Sequence, residues 1–271
     1  MQARQVDMQK YLTIFTISFA NQSVYRLNFI MGRVGNIIVL LLLYYLWTTV
    51  TRATGSFAGF STQELLTYIA GIHIARAVVF GGQSRKIAQE INDGSFSNYL
   101  TKPVNHFFFW YVRELSDRMV LGIMAAGELV VFSLLLNAAI LAPFDAFRIF
   151  LFLLSLFLAH VLYYILSYLM SILAFWSRET MGPRFLFEWF LEFASGAYFP
   201  LSILPSFFLV VLHALPFVYL LYLPLMVYLG KLSVEQNAGI LVAQLLWIGV
   251  AGMLTATVWK KGLRRYAGEG M

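Results

Sequence analysis

Cysteine is absent from the 271 residues of this chain, and charged residues make up only 12% of it. Without cysteine the chain has no disulfide, no thiol nucleophile and no cysteine-ligated metal. Soluble domains carry roughly 25% charged residues, so the low charged fraction argues against a soluble globular protein. Proline is also scarce, with 7 residues. The clustering of several of them near the C-terminal third therefore marks an unusual segment.

Apolar residues are abundant: they make up 60% of the chain, and the mean hydropathy is +0.75. This composition predicts an all-α polytopic membrane protein, with one transmembrane domain over residues 1–271, because that length leaves room for little else. A membrane-spanning helix needs about 20 apolar residues. Six runs approach that length, so we predict six spans. They cover residues 27–50, 65–80, 119–140, 149–176, 184–200 and 238–258.

The chain is basic, with a formal charge of +6, yet its cations do not cluster as they do on a nucleic-acid-binding surface. Cytoplasmic loops of membrane proteins are enriched in Lys and Arg. With six spans and both termini cytosolic, only Arg52, Arg148 and Lys231 fall in predicted outer loops. The sequence therefore predicts a multi-pass protein of the cell (inner) membrane that binds no nucleic acid.

The segment before the first span, residues 7–24, has an amphipathic pattern. Met8, Tyr11, Leu12, Phe15 and Phe19 fall on one helical face. This pattern is typical of a helix that lies in the membrane interface. A cytosolic helix packed on a partner fits the same periodicity.

Residues 199–230 are apolar but broken by proline. The longest proline-free piece is Ser206 to Leu215, about half the length that a span requires. A seventh span would also move the C-terminal cations outside, against the positive-inside rule. We therefore predict a re-entrant helical hairpin over 200–230, on the outer side between spans five and six. Its breaks are at Pro200, Pro205, Pro216 and Pro224.

A polar segment, residues 86–103, separates the second and third spans. Lys86 to Asn92 reads as a short helix with Ile87 and Ile91 on one face. Gly94 follows where a glycine commonly ends a helix in the left-handed conformation. An ordinary solvated loop and a docking site for a soluble partner are both compatible with this pattern.

The residues Ile91, Gly94, Leu100, Lys102, Pro103 and Val104 resemble the cytosolic coupling segment of ABC-2 type ABC transporter permeases. The interfacial helix and the proline-marked hairpin extend this resemblance over nearly the whole chain. The C-terminal W-K-K-G-L-R-R-Y, residues 259–266, resembles one branch of that family, in which two related permeases often share one ATPase.

The resemblance implies a permease subunit of an ATP-driven exporter that moves a lipid, glycan, peptide or drug-like substrate. It implies a dimer with a second, identical or related permease, and a separate ABC ATPase as partner. The contact with that ATPase would then lie on the coupling segment, at Ile87, Glu90, Ile91, Asp93 and Gly94.

No phosphate-binding loop accompanies these features. Gly230-Lys231 is followed by Leu232, and position 225 is not glycine, so the Walker A pattern is missing. We expect ATP and Mg²⁺ to bind the partner ATPase, and we expect no catalytic residue, cofactor or metal in this chain.

Four charged residues fall within or near predicted spans: Arg76, Glu128, Glu188 and Glu192. Charges at membrane depth usually face the bundle or a cavity and pair with one another. One interpretation is a polar path for substrate or a site for a cationic headgroup. The other, which we favour, is a structural ion-pair network with Arg178 and Arg184.

Two other function classes stay open. A secondary transporter could use the intramembrane carboxylates for proton coupling, although such proteins usually show repeats and broken helices in both halves. A membrane-embedded lipid-modifying enzyme is a weaker alternative, because no nucleophile and base are paired. An ATPase gene beside this one would favour the ABC transporter.

Overall fold

The computed structural model describes residues 8–21, 26–52, 55–138, 140–141 and 145–269, which are almost entirely helical. A two-residue β-hairpin, β1 (Ser56–Phe57) and β2 (Phe60–Ser61), lies between the second and third helices. The α-helices are α1 Met8–Asn21, α2 Arg26–Thr51, α3 Thr62–Val79, α4 Ser84–Asn92, α5 Ser97–Leu100, α6 His106–Leu136, α7 Ala146–Ile172, α8 Met181–Ala194, α9 Ser206–His213, α10 Tyr222–Leu229 and α11 Val234–Glu269.

Within these residues, five helical segments are long and apolar enough to cross a bilayer, and they contain α2, α3, α6, α7 and α11. This confirms an all-α polytopic membrane protein. The core lies where α7 packs between α3, α10 and α11. The buried Gln244 of α11 donates to the carbonyls of Ser155 and Tyr219, each at 2.9 Å. This side chain therefore joins α7 and α11 to the chain that precedes α10.

Helix α6 is longer than the third span expected from the sequence. It begins at His106 rather than near residue 119, because the Asn105 side chain caps it by accepting from the Phe108 amide. The apolar run alone set the predicted start, whereas the helix continues through Glu114 and Arg118, which form an ion pair at 3.2 Å. The helix ends at Leu136.

The predicted interfacial segment, 7–24, contains α1; residues 7 and 22–24 of it lie outside the described residues. Helix α1 packs on α6. Tyr11 accepts a hydrogen bond from the Asn105 amide at 3.3 Å, and its ring meets Phe108 edge-on. Ser116 of α6 donates to the Phe15 carbonyl. The first helix is therefore attached to its own chain.

Helix α8 occupies the fifth predicted span, 184–200, but has only 14 residues. At about 1.5 Å per residue it rises roughly 21 Å, less than the roughly 30 Å hydrocarbon core. Its outward face is strongly apolar, with Phe185, Leu186 and Trp189 more than half exposed. The six-span count stays a prediction.

The predicted hairpin, 200–230, contains α9 and α10, each eight residues long, and two short 3₁₀ turns. Pro200, Pro205 and Pro216 each directly precede one of these elements, whereas Pro224 lies in the first turn of α10, where a missing amide hydrogen is tolerated. Helix α10 is buried and α9 is exposed. Its re-entrant position in the bilayer stays a prediction.

Polar contacts hold the chain together at two ends of the molecule. At one end the Lys231 ammonium binds the Glu64 carboxylate at 2.7 Å and the Gly59 carbonyl at 3.0 Å. At the other end Tyr266 donates to the Gly94 carbonyl at 3.0 Å. The coupling segment and the C-terminal helix therefore lie together, one length of α3 away from the β-hairpin.

Because the chain lacks cysteine, single-cysteine variants test the orientation of these two ends without background labelling. We expect Ser56→Cys to react with a membrane-impermeant maleimide in intact cells. Ser95→Cys and Arg264→Cys should react only after the membrane is permeabilised. Labelling of position 95 or 264 from outside would contradict the predicted cytosolic location of the coupling segment and the C-terminal helix.

Candidate functional site

A cavity of about 450 Å³ lies between α2, α3, α6 and α8, with Tyr163 of α7 in its wall. Toward Leu43 and Ile69 its lining is apolar. Toward the turn between α3 and α4 it becomes strongly charged. The ionisable lining residues are Arg33, His73, Arg76, Arg85, Arg118, Glu188 and Glu192.

Arg33 and Glu128 form one of the ion pairs at this cavity. Arg33 donates from Nε to Glu128 at 2.6 Å and from Nη2 to its second oxygen, while His73 Nε2 lies 2.9 Å from the same carboxylate. Arg33 is buried, and Glu128, 95 positions away, neutralises its charge between α2 and α6.

Glu192 and Glu188 lie one turn apart on α8 and face the cavity. Arg76 of α3 donates from Nη2 to Glu192 at 2.9 Å, and Tyr198 donates to the other oxygen at 2.5 Å. Arg85 of α4 donates to Glu188 at 2.5 Å. These contacts attach α8 to the two elements that flank the α3–α4 turn.

Arg184, also on α8, is buried and connects three helices. Its guanidinium donates to Glu188 at 2.8 Å and to Ser171 of α7 at 2.7 Å. It also donates to Ser84 of α4 at 2.7 Å and to Ser167 of α7 at 2.9 Å. A buried guanidinium needs such saturation, because a charge without partners in an apolar interior is very costly.

The α3–α4 turn is tightly packed against Glu114 of α6. The Gln83 amide donates to this buried carboxylate at 2.9 Å, and Arg118 donates to the Phe80 carbonyl at 2.5 Å. A Cβ on Gly81 would lie 1.7 Å from a Glu114 oxygen. Only glycine fits at position 81 without displacing that carboxylate.

The coupling segment is anchored by an aromatic cluster under its polar surface. Phe96 is fully buried and packs edge-on against His106, Phe175, Trp259 and Tyr266, with ring centroids 5.1 to 5.6 Å apart. Gly94, with φ of +81°, turns the chain so that Phe96 points inward. This confirms the left-handed conformation expected at Gly94.

Ile87 and Ile91 do not form an outward docking face. They are 0% and 6% exposed and belong to the same buried cluster as Phe96. The amphipathic pattern of α4 was correct, but its apolar face packs on α7 and on the 3₁₀ turn that follows it. These two side chains therefore anchor the segment and are not available to a partner.

The outward face of the segment is polar instead. Lys86, Gln89 and Asp93 are exposed, and Leu100 is its one large apolar side chain that is more than half exposed. The hydrogen bond from Ser95 lowers the pKa of Asp93, which keeps this carboxylate charged.

Glu90 turns sideways from this face and accepts from Tyr99 at 3.0 Å. Partial burial raises the pKa of Tyr99, and the neighbouring Glu90 raises it further. The exposed surface of the segment thus offers hydrogen-bonding groups around a single apolar contact.

The four charged residues singled out from the sequence all lie at or beside the cavity, and their pairing fits the ion-pair network that we favoured. The Arg178 side chain takes no part in an ion pair within the described residues; Arg33, Arg85 and Arg118 do. Neither these arginines nor Phe96 were assigned a role from the sequence. A single aromatic residue in a polar stretch of sequence was the one signal that could have identified Phe96 as a buried anchor.

Comparison with known proteins gives one family match. A family model described as ABC-2 family transporter protein matches residues 37–270. No curated protein matches the sequence. In the part of the chain that the structure describes, no group of three or more His, Asp or Glu residues could hold a metal ion.

Arg184 is expected to matter most for stability. Arg184→Met removes the guanidinium from three serine hydroxyls and from Glu188, and the loss of one partner from a buried pair costs about 3 kcal/mol or more. We expect a large drop in the thermal unfolding temperature of the purified chain in detergent. Arg178→Met, which removes an exposed guanidinium, should leave the temperature nearly unchanged. Equal effects of the two variants would contradict the role of Arg184 as a buried connector.

Proposed function

Because the chain belongs to the ABC-2 transporter family, we propose that it is the permease subunit of an ATP-driven exporter. A separate ABC ATPase binds the outward face of the coupling segment, and a second permease, identical or related, completes a dimer. ATP and Mg²⁺ bind to the ATPase. The protein lies in the cell (inner) membrane with both termini cytosolic.

The observation that carries this proposal is the direct link between the cavity and α4, the helix whose residues 86–92 begin the coupling segment. Ser84 and Arg85 of α4 bind Arg184 and Glu188 of α8, and α8 forms one wall of the cavity. A displacement of α4 is therefore passed to α8 through charge-assisted hydrogen bonds, which are stronger than neutral ones. At this point α4 and α8 are joined directly by hydrogen bonds and an ion pair.

The buried base of the segment supports the same role. A lever needs rigidity, and the packing of Ile87, Ile91 and Phe96 in one cluster supplies it. Force applied to the polar outer face then moves α4 as a body. In this proposal the ATPase closes on that face, α4 pushes on α8, and the cavity changes its access from one side of the membrane to the other.

The purified chain alone should hydrolyse no ATP, because its sequence has no phosphate-binding loop. Co-expression with each ABC ATPase encoded near its gene should yield a complex with two ATPase copies per permease dimer, and that complex should hydrolyse ATP in lipid. Robust ATP hydrolysis by the chain alone would refute the proposal that a separate subunit hydrolyses ATP. Substrate movement driven by a proton gradient without ATP would favour the secondary transporter.

Gly94→Val should weaken the functional contact with the ATPase. A side chain in the left-handed conformation costs roughly 1–2 kcal/mol, and the strain falls where the chain turns inward to Phe96. We expect normal membrane insertion but reduced co-purification of the ATPase, or hydrolysis that no longer responds to substrate.

Gly127→Val is the matched control for this variant. A Cβ meets no atom within 4 Å at either glycine, but Gly127 does not have the positive φ of Gly94. Normal association and normal stimulation in Gly94→Val would place the contact elsewhere, with the turn before α8, residues 177–180, as the next surface to test.

A further inference from the structure

We propose that the cavity binds the anionic group of an amphiphile, such as a phosphate or carboxylate attached to an apolar chain. This inference rests on the proposed transport function and names the class of substrate that the cavity takes. The proposed ligand is anionic, whereas the carboxylates near the predicted spans suggested a cationic headgroup from the sequence alone. The reason is the balance between hydrogen-bond donors and acceptors in the cavity wall.

The carboxylates that line the cavity are already occupied. Glu192 accepts from Arg76 with one oxygen and from Tyr198 with the other. Glu188 accepts from Arg184 with one oxygen, at 2.8 Å, and from Arg85 with the other, at 2.5 Å. A cationic ligand would have to compete with an arginine at each of them.

The guanidinium groups, in contrast, keep donors to spare. Each arginine has five N–H groups and no acceptor. Arg76 uses Nη2 for Glu192, and Arg85 uses Nε and Nη2 for Glu188. Their side chains remain 26% and 54% exposed although both line the cavity. Oxygen-rich anions match such planar donors with charge-assisted, often bidentate, bonds.

Net charge does not make this case. Glu114 and Glu128, beside the lining residues, balance Arg118 and Arg33, so the formal charges nearly cancel. Within the described residues, several N–H groups of Arg76 and Arg85 have no hydrogen-bond partner, whereas both oxygens of Glu188 and of Glu192 already accept from a donor, and this difference decides the preference. A neutral ligand rich in acceptors would use the donors but would gain no charge attraction.

The apolar end of the cavity indicates that the part of the ligand beyond its anionic group is apolar. Along α2 the lining runs from Arg33 and Asn36 to Leu40 and Leu43, a rise of about 15 Å at 1.5 Å per residue. Ile69 and Ile72 of α3 face the same end. The anionic group therefore lies near the α3–α4 turn, and the apolar part of the ligand lies along α2.

The test is calorimetric titration of the full purified chain in a non-ionic detergent. The probes are dihexanoyl phosphatidic acid, dihexanoyl phosphatidylcholine and inorganic phosphate. We expect saturable binding of the phosphatidic acid, and binding of the other two at least about tenfold weaker. Phosphatidylcholine bound as tightly would overturn anion recognition. Inorganic phosphate bound as tightly would overturn the amphiphile.

Variants locate the site. Arg76→Gln and Arg85→Gln should each weaken phosphatidic acid binding about tenfold or more, as loss of a hydrogen bond to a charged group implies. Arg113→Gln is the control, because its guanidinium stacks on Trp110 at 4.7 Å and does not line the cavity. Equal losses in all three variants would mean general surface attraction and would overturn the site.

A variant that is expected to bind more tightly separates loss of the site from misfolding, because a misfolded chain would not gain affinity. Glu192→Gln removes a competing carboxylate from Arg76, so phosphatidic acid should bind more tightly than to the unchanged chain. Weaker binding would overturn the proposal. Binding is measured without an ATPase, so a chain that binds phosphatidic acid but assembles with no ATPase contradicts the proposed function and leaves the site intact.

Discussion

The cost of holding a charge away from water governs the interior of this protein. A charged side chain at the bilayer centre costs about 2.5–3.5 kcal/mol on insertion scales, and five arginines lie at or beside the cavity. Each one meets a carboxylate contributed by another helix or another turn. The pairs therefore neutralise charge and cross-link α2 to α6 and α8 to α3 and α4.

Helix α8 shows the consequence of this arrangement. Its inner face is held mainly by ion pairs and serine hydroxyls, while its outer face presents large apolar side chains such as Phe185 and Trp189. Polar bonds can be exchanged for other polar bonds at little net cost, whereas a packed apolar interface cannot be opened so cheaply. A helix attached in this way suits the wall of a cavity that must change its access.

The sequence predicted well what depends on local pattern. Apolar runs located α2, α3, α7 and α11, and three of the four clustered prolines marked the starts of short elements between α8 and α11. Glycine at position 94 predicted a left-handed turn, which φ of +81° confirms. Helix α6 begins at His106, ahead of the apolar run that set the predicted third span, and it continues through Glu114 and Arg118, which pair with each other.

What the sequence could not supply is the identity of distant partners. Arg33 with Glu128, and Arg76 with Glu192, are separated by about a hundred positions, and no periodicity relates them. The amphipathic pattern of α4 likewise gave the apolar face but not what covers it. Ile87 and Ile91 were therefore expected to face a partner, although their own chain buries them.

Helix α11 connects the two faces of the molecule. Its 36 residues extend from Val234, close to Lys231, to Glu269, and Tyr266 near its end donates to the Gly94 carbonyl. At about 1.5 Å per residue this rod is roughly 54 Å long, so a tilt of about 10° around one end sweeps the other end through about 9 Å. A small rotation at the aromatic cluster would therefore produce a larger displacement at the opposite end of the helix, where the chain enters α11 from α10.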